Sequence, residues 1–503
     1  MNSAYLERMK EEHKWFFRMS VLFGILFTIL IYKNMISVTF PVLIVCVIVF
    51  SLLFLQKAGI SVRKRTVFYF AGMLLLGVST CLTANGFFHF FNAAGILLLF
   101  MDGMAYQLYD NKSWEFGEYV KYFFLFIGKW LGALRCPFRY RKIRDRLNGK
   151  EYLKKHKNVG AVIWGILIAV IFLIIVLPLL MMSDRVFSEF FVNILGMVNP
   201  FDLFADIDMG NIIGVIMTFL IGALFFYAFF AALFRNDLRK KEKSDEEKSN
   251  PLTGITFGAM VAVIYVIYSG IQIVFLFLRV GNLPDGMTYS QYAHEGFWQL
   301  LFVSIINFAA VLICLKVFQE NRILRIILTL ISMCTCVMIL SAGYRMILYI
   351  WEYNLTFLRV LVLWFLAVLM IIFGGVIFWI YRRTFPLFRY VIIVVSVCYI
   401  GLSLSHVDGI IAGFNIRNTD QLNENDIAYL MYGLSADAAP EIAEIPMEVL
   451  QKNDMYEDVR AYFHVRKGEG EEMNIRNWNF SRSAAANAAE EWLGTSDYEK
   501  FRE

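Results

Sequence analysis

The sequence predicts an all-α, polytopic helical membrane protein with about eleven transmembrane helices and a small α-helical domain outside the membrane at its C-terminus. Three observations carry that expectation. Hydrophobic residues fill 59% of the 503 positions, above the roughly 45–50% of soluble domains. Charged residues make up 18% and stand in blocks between long apolar runs instead of lining amphipathic faces. Lys and Arg alternate between rich and poor connections, the pattern that sets topology in a bilayer.

About 20 apolar residues at about 1.5 Å each cross a hydrocarbon core of about 30 Å. Runs of that kind lie at 16–32, 36–55, 67–84, 87–109, 159–182, 212–234, 255–278, 297–318, 326–350, 357–380 and 390–405. The charged start at 1–18 leads into the first run without a small-residue cleavage site, so that run reads as an anchor. With the N-terminus in the cytoplasm, the cytoplasmic segments hold 33 of the 47 basic residues, and the outer connections and helix ends hold 5. An odd number of spans then leaves the C-terminus extracytoplasmic.

The expected organisation is a four-helix membrane region at 1–109, a basic cytoplasmic loop at 110–158, a seven-helix membrane region at 159–405 and an acidic extracytoplasmic domain at 406–503. Within the loop, 114–135 sets basic residues opposite Phe123, Phe124, Phe126 and Trp130, as in a helix lying in the interface. The stretch from Arg135 to Lys157 suits anionic lipid at about 1 kcal/mol per basic residue, although a topology determinant needs the same charges. The mixed-charge segment 235–250 reads as a solvated loop, and the acidic connection 183–208 as a short outer helix. From Gly413 onward the pattern turns soluble, with 18 acidic against 9 basic residues. Helices are expected near 424–432, 436–451, 455–465 and 482–493, with Ser435 and Ser481 as N-caps.

Several function classes recede on composition alone. The net charge of +5 falls beside apolar spans, where topology and lipid account for it, so no nucleic-acid partner is expected. Of seven cysteines, six lie in expected spans and Cys136 in the basic loop, which gives neither a disulfide framework nor a metal spacing. No zinc-protease, nucleophile-elbow, P-loop or dinucleotide fingerprint stands in a fitting context. No cofactor, metal or catalytic residue is therefore assigned, and the balance leans away from an enzyme.

Polar residues at depth are the informative ones, because a charge at the bilayer centre costs about 2.5–3.5 kcal/mol on insertion scales. Asp102, Asn92, Gln272 and Asn307 qualify. Asp102 stands toward the cytoplasmic end of its span, and interhelical hydrogen bonding accounts for the three amides without a substrate. The densest group gathers at the outer ends of the eighth to tenth spans. Arg345, Tyr349 and Glu352 share one helical face, Arg359 opens the next helix, and His294 and Glu295 lie in the preceding connection. Two arginines suit a carboxylate or anionic headgroup; the competing reading is a turn in which Glu352 pairs with either arginine and locks two helices together.

The strings YAHEGFWQLLFVSIINF at 292–308, RMILYIWEYNLTFLR at 345–359, IIAGFNIRN at 410–418, DIAYLMYGLSADAAPEI at 426–442 and RNWNFSRSAAA at 476–486 resemble the membrane proteins grouped as domain of unknown function 4173. The related 4153 group is the second home. The family pattern carries Arg where His294 stands, Gly where Asn354 stands and Asn-Pro where His406-Val407 stands. The resemblance implies a multi-pass protein of the bacterial cytoplasmic membrane without an established activity. Two functions follow as expectations: transport or binding of a small or lipidic anionic ligand at the outer cluster, or an envelope sensor or assembly factor whose C-terminal domain meets a partner protein.

Overall fold

The computed structural model describes residues 2–109, 114, 116–140, 209–235, 248–278, 289–417 and 422–500, by backbone alone at 2–3, 116, 209–210, 212, 275–278, 289–298 and 496–500. These residues form an all-α membrane protein. No strand occurs among them, apart from an isolated bridge between Ser249 and Phe318.

The helices in chain order are α1 (Asn2–Glu11), α2 (His13–Ile31), α3 (Thr39–Ala58), α4 (Thr66–Leu82), α5 (Gly86–Leu108), α6 (Phe116–Gly132) and α7 (Met209–Arg235). Then follow α8 (Pro251–Leu278), α9 (Tyr289–Val317), α10 (Arg322–Tyr353), α11 (Phe357–Tyr381), α12 (Leu387–Leu404) and α13 (Val407–Ile416). The last five are α14 (Glu424–Ala428), α15 (Ala439–Ile442), α16 (Met447–Lys452), α17 (Tyr456–Glu471) and α18 (Phe480–Lys500).

Among the described residues nine helices are long and apolar enough to cross a membrane: α2, α3, α5 and α7 to α12. Helix α4 is apolar but has 17 residues, and the expected span at 159–182 lies outside the described residues, as do the expected helix within 183–208 and most of the loop at 235–250. Helix α6 covers the aromatic half of the basic loop; residues 141–157 of its basic half lie outside the description. Nine spans fit a polytopic protein without fixing the count at eleven.

The described residues of Met1–Tyr32, Lys57–Gly59 and Ile127–Asn236 form one compact unit, and those of Lys33–Gln56, Ile60–Phe126 and Asp237–Glu503 a second. In the first, α2 and α7 pack closely: a Cβ built on Gly24 stands 2.7 Å from the Ala223 Cβ, and one on Gly222 meets the Phe27 ring at 2.8 Å. Hydrocarbon gives helices no hydrophobic reason to associate, so small residues that let backbones approach supply dispersion instead. Phe23 stacks on Phe226 at 4.1 Å. His13 Nδ1 and the Tyr227 hydroxyl lie 2.9 Å apart.

In the second unit the membrane helices share apolar cores. Phe88 of α5 packs with Met338, Ala342 and Met346 of α10 and Leu366 and Phe373 of α11. Helix α13 contributes Val407 and Ile411 to that core, while its Ala412 and Ile416 belong to a different one. The latter joins Ile427, Leu430, Ile442, Leu450, Phe463 and Trp492 of the C-terminal helices. One ten-residue helix is thus a wall of both cores.

The C-terminal helices depart from expectation in three places. The helix expected at 436–451 is broken into a 3-10 turn at Ala436–Ala438, α15 and α16, because Pro446 is extended at φ −60°, ψ 138° and lacks the N–H a continuing helix needs. Residues 424–432 end in a π turn at Tyr429–Gly433. Helix α18 begins at Phe480, where Asn479 Oδ1 accepts from the Arg482 N–H at 3.2 Å; the expected cap, Ser481, turns its hydroxyl to Asp437 instead. Ser435 does cap as expected, accepting from the Asp437 N–H.

Candidate functional site

The intramembrane polar residues each meet a partner on a neighbouring helix. Asn92 of α5 is fully buried. Its Oδ1 accepts from the Tyr399 and Ser403 hydroxyls of α12 at 2.9 and 2.8 Å, and its Nδ2 donates to Ser79 and Thr80 of α4 at 3.3 and 3.2 Å. Asn307 of α9 accepts from Tyr265 of α8 at 2.7 Å and donates to Thr335 of α10 at 2.9 Å. Gln272 of α8 accepts from Ser341 of α10 at 2.5 Å. Each amide ties helices together, as a buried polar group in hydrocarbon must. Asp102 is half-buried and hydrogen-bonded to Tyr69.

At the C-terminal end of α10 the expected cluster is partly assembled. Helix α10 runs through Arg345, Tyr349 and Glu352 to Tyr353 and stops at Asn354, whose φ of 62° and ψ of 173° end the helical path. Arg359 of α11 reaches back and donates to the carbonyls of Tyr353, at 2.6 Å, and Asn354. Its guanidinium lies 4.2 Å from the centroid of the Tyr349 ring. Arg359 thereby satisfies carbonyls orphaned at a helix end and stacks on an aromatic face. Glu352 is exposed, and among the described residues it pairs with neither arginine, so the turn is locked by Arg359 and backbone, not by the expected salt bridge. Arg345 is half-buried. The backbones of His294 and Glu295 belong to α9, but their side chains lie outside the described residues.

The most concentrated polar chemistry lies where the C-terminal helices meet the helix ends of the same unit, a place the sequence reading did not single out. Asp437 accepts from the Thr83 hydroxyl through Oδ2, and from the Ala84 N–H, at 2.6 Å, and the Ser481 hydroxyl through Oδ1. Asp408 is 1% exposed; its Oδ2 accepts from Asn85 Nδ2 at 2.8 Å and the Ser435 N–H at 3.0 Å. Burial pushes its carboxyl above the usual carboxylate range and the nearby Asp437 charge adds to that, against the hydrogen bonds from Ser435 and Asn85.

Two buried amides complete this seam. Asn415 exchanges a pair of hydrogen bonds with the backbone of Leu355, at 2.7 and 2.9 Å. Asn479 donates to the carbonyls of Ile36 and Thr83 at 2.8 and 3.1 Å, while the Val38 N–H donates to the Trp478 carbonyl at 2.9 Å. The Phe357 N–H donates to the Tyr429 hydroxyl at 2.9 Å. Backbone groups left unmatched at the ends of α3, α4, α10 and α11 are thus answered by the C-terminal helices.

Beside the seam a half-open groove of about 630 Å³ is lined by Leu82, Ile410, Phe414 and Phe480 among apolar residues and by Arg417 and Glu441 among charged ones. No group of three His, Cys, Asp or Glu side chains among the described residues is placed to hold a metal ion.

No curated protein and no solved structure matches the chain. A family model does, and it is that of the 4153 group, so the placement in the 4173 group is not confirmed. The match spans residues 70–445, from within α4 through the seam to the turn before α16. It takes in Asn92, Arg345, Asp408 and Asp437 alike. The chain is an integral membrane protein belonging to the family described as Domain of unknown function (DUF4153).

Proposed function

We propose that this protein is a membrane-anchored sensor or assembly factor, whose C-terminal helices meet a stimulus or partner outside the membrane and pass the change to the spans through the seam. The observation that carries this reading is α13, which places Val407 and Ile411 in the membrane-helix core and Ala412 and Ile416 in the C-terminal core. A displacement of one core then strains the other, because packed interiors are not continuously deformable. The charge split of 33 to 5 supports an inside N-terminus and an outside C-terminus in a bacterial cytoplasmic membrane. Counting α4 and the run at 159–182 as spans gives eleven. The basic stretch 135–157 supports contact with anionic headgroups on the inner face.

Complementation of cells lacking the protein tests the reading. The full chain should restore the phenotype; a chain lacking 424–503 and the Asp437→Ala variant should both insert and both fail. Full complementation by the truncated chain overturns the proposal.

One observation favours a second reading, transport or binding of a small or lipidic anion. Arg345, a permanent cation, is half-buried on the helix face it shares with Tyr349. Arg345→Gln should then weaken stabilisation by anionic ligands in a thermal scan without reducing insertion. A variant that unfolds instead gives Arg345 a structural role.

A further inference from the structure

The groove beside the seam has features that a docking surface for soluble protein does not need. Gly409, Gly413 and Arg417 recur at every fourth position from α13 into the residue after it, and so share one face. A Cβ on Gly413 would stand 3.0 Å from Glu441 Oε2; the bare backbone lets that carboxylate lie against the helix. Ile410, Phe414 and Phe480 are large apolar side chains that line the groove yet are 55%, 38% and 48% exposed. Asp437 also lines it and already accepts from three donors. Among the described residues Arg417 and Glu441 have no side-chain partner, so beside the hydrogen-bonded Asp437 the groove offers one unpartnered cation and one unpartnered anion along an apolar wall.

Its position supplies the source of the ligand. Leu82 is the last residue of α4, and His406 stands two residues beyond the end of α12. These two helices are joined one turn below by the Ser79 and Ser403 hydroxyls, 2.5 Å apart. The groove therefore opens at the ends of two apolar helices, the level at which a bilayer around them would place its headgroups.

We propose that this groove binds a zwitterionic aminophospholipid of the surrounding bilayer, with its phosphate on Arg417, its primary ammonium on Glu441 and the start of an acyl chain along Ile410, Phe414 and Phe480. A guanidinium donates two parallel N–H groups to a phosphate, and a carboxylate accepts from an ammonium. A quaternary choline lacks the N–H groups Glu441 needs, and an anionic glycerol headgroup lacks the positive charge. This assignment stands independently of signalling through the seam.

Native mass spectrometry of the delipidated full-length protein tests it, using mixed micelles of phosphatidylethanolamine, phosphatidylcholine or phosphatidylglycerol with identical acyl chains. One ethanolamine lipid should be retained at least about tenfold more tightly than the other two, the scale of one charge-assisted contact. Arg417→Gln should weaken all three lipids. Glu441→Gln should abolish the preference for ethanolamine over choline and leave the remaining affinity. Both positions are at least partly exposed, so unchanged melting temperatures will show intact folds. Equal retention of the three lipids, a preference for the glycerol lipid, capture of free phosphoethanolamine as tight as that of the lipid, or unchanged binding in both variants overturns the proposal.

Discussion

The packing of α2 against α7 and the seam under the C-terminal helices solve the same problem with opposite chemistry. Between α2 and α7 the contact is made chiefly by absence: Gly24 and Gly222 leave room for Ala223 and Phe27, with the hydrogen bond between His13 and Tyr227 as a polar contact beside them. At the seam it is made by donors and acceptors, with Asp437, Asp408, Asn415 and Asn479 answering backbone groups at helix ends. The difference follows from the surroundings. A mid-helix backbone in hydrocarbon is already hydrogen-bonded, so only shape remains to be matched. A helix end carries unmatched N–H and C=O groups, and covering them with protein removes the water that would otherwise serve.

The comparison breaks most sharply at Gly24. Gly24→Val puts branched carbons where even a Cβ stands 2.7 Å from Ala223, and overpacking of that kind costs about 3 kcal/mol; size-exclusion profiles in detergent should show loss of the monodisperse peak. Asp437→Ala comes next. It strips an acceptor from two hydroxyls and the Ala84 N–H, at about 2 kcal/mol for a buried group left unmatched. Hydrogen exchange should rise at 83–89 and 480–486 while α8 to α11 stay protected, and a uniform rise would mean that the seam is not a separate unit of stability.

Two smaller effects sharpen the seam itself. Asn354 holds a φ and ψ that suit only glycine, and its buried Oδ1 meets no hydrogen-bond partner among the described residues. Asn354→Gly should stabilise the protein by about 1 kcal/mol, read as a rise in melting temperature; a fall would assign the amide a role in the turn. Asp408 carries a pH dependence whose sign follows from its environment. Its folded-state carboxyl is raised by burial and by Asp437, so the stability it contributes is full below the ordinary carboxylate range and is lost as pH rises through the raised value. Asp408→Asn should remove that part of the pH dependence, with thermal melts at several pH values converging on the acid-side behaviour of the parent.

The membrane helices were legible because run length and charge placement are local properties, and each described span coincides with an apolar run to within a few residues, except that α9 begins at Tyr289, well ahead of the run at 297. The seam was hidden because its partners are distant: Asp437 meets Thr83 across 354 positions, and Asn479 meets Ile36 across 443. One signal was within reach. The run VDGIIAGFNI at 407–416 places Asp408 in an apolar helix, the same anomaly that singled out Asp102. For Arg359 the sequence suggests a charge partner, Glu352, and the orphaned carbonyls at Tyr353 and Asn354 that it meets appear only once the helix end is known. Pro446 stands in plain view within the stretch expected as one helix at 436–451, and its missing N–H is a local signal for the break found there.

The bonds from Asn479 to Ile36 and Thr83, and from Val38 to Trp478, also have a consequence for biogenesis. A chain emerging from the ribosome will have inserted its early spans long before its final residues exist, and the ends of α3 and α4 must wait for them with carbonyls and N–H groups uncovered. Such closure over a very long loop is slow and leaves intermediates exposed. A chain ending a few dozen residues early would thus enter the membrane in the right topology and still present the hallmarks of an unfinished protein, marking it for proteolysis on account of its first loops and not its last.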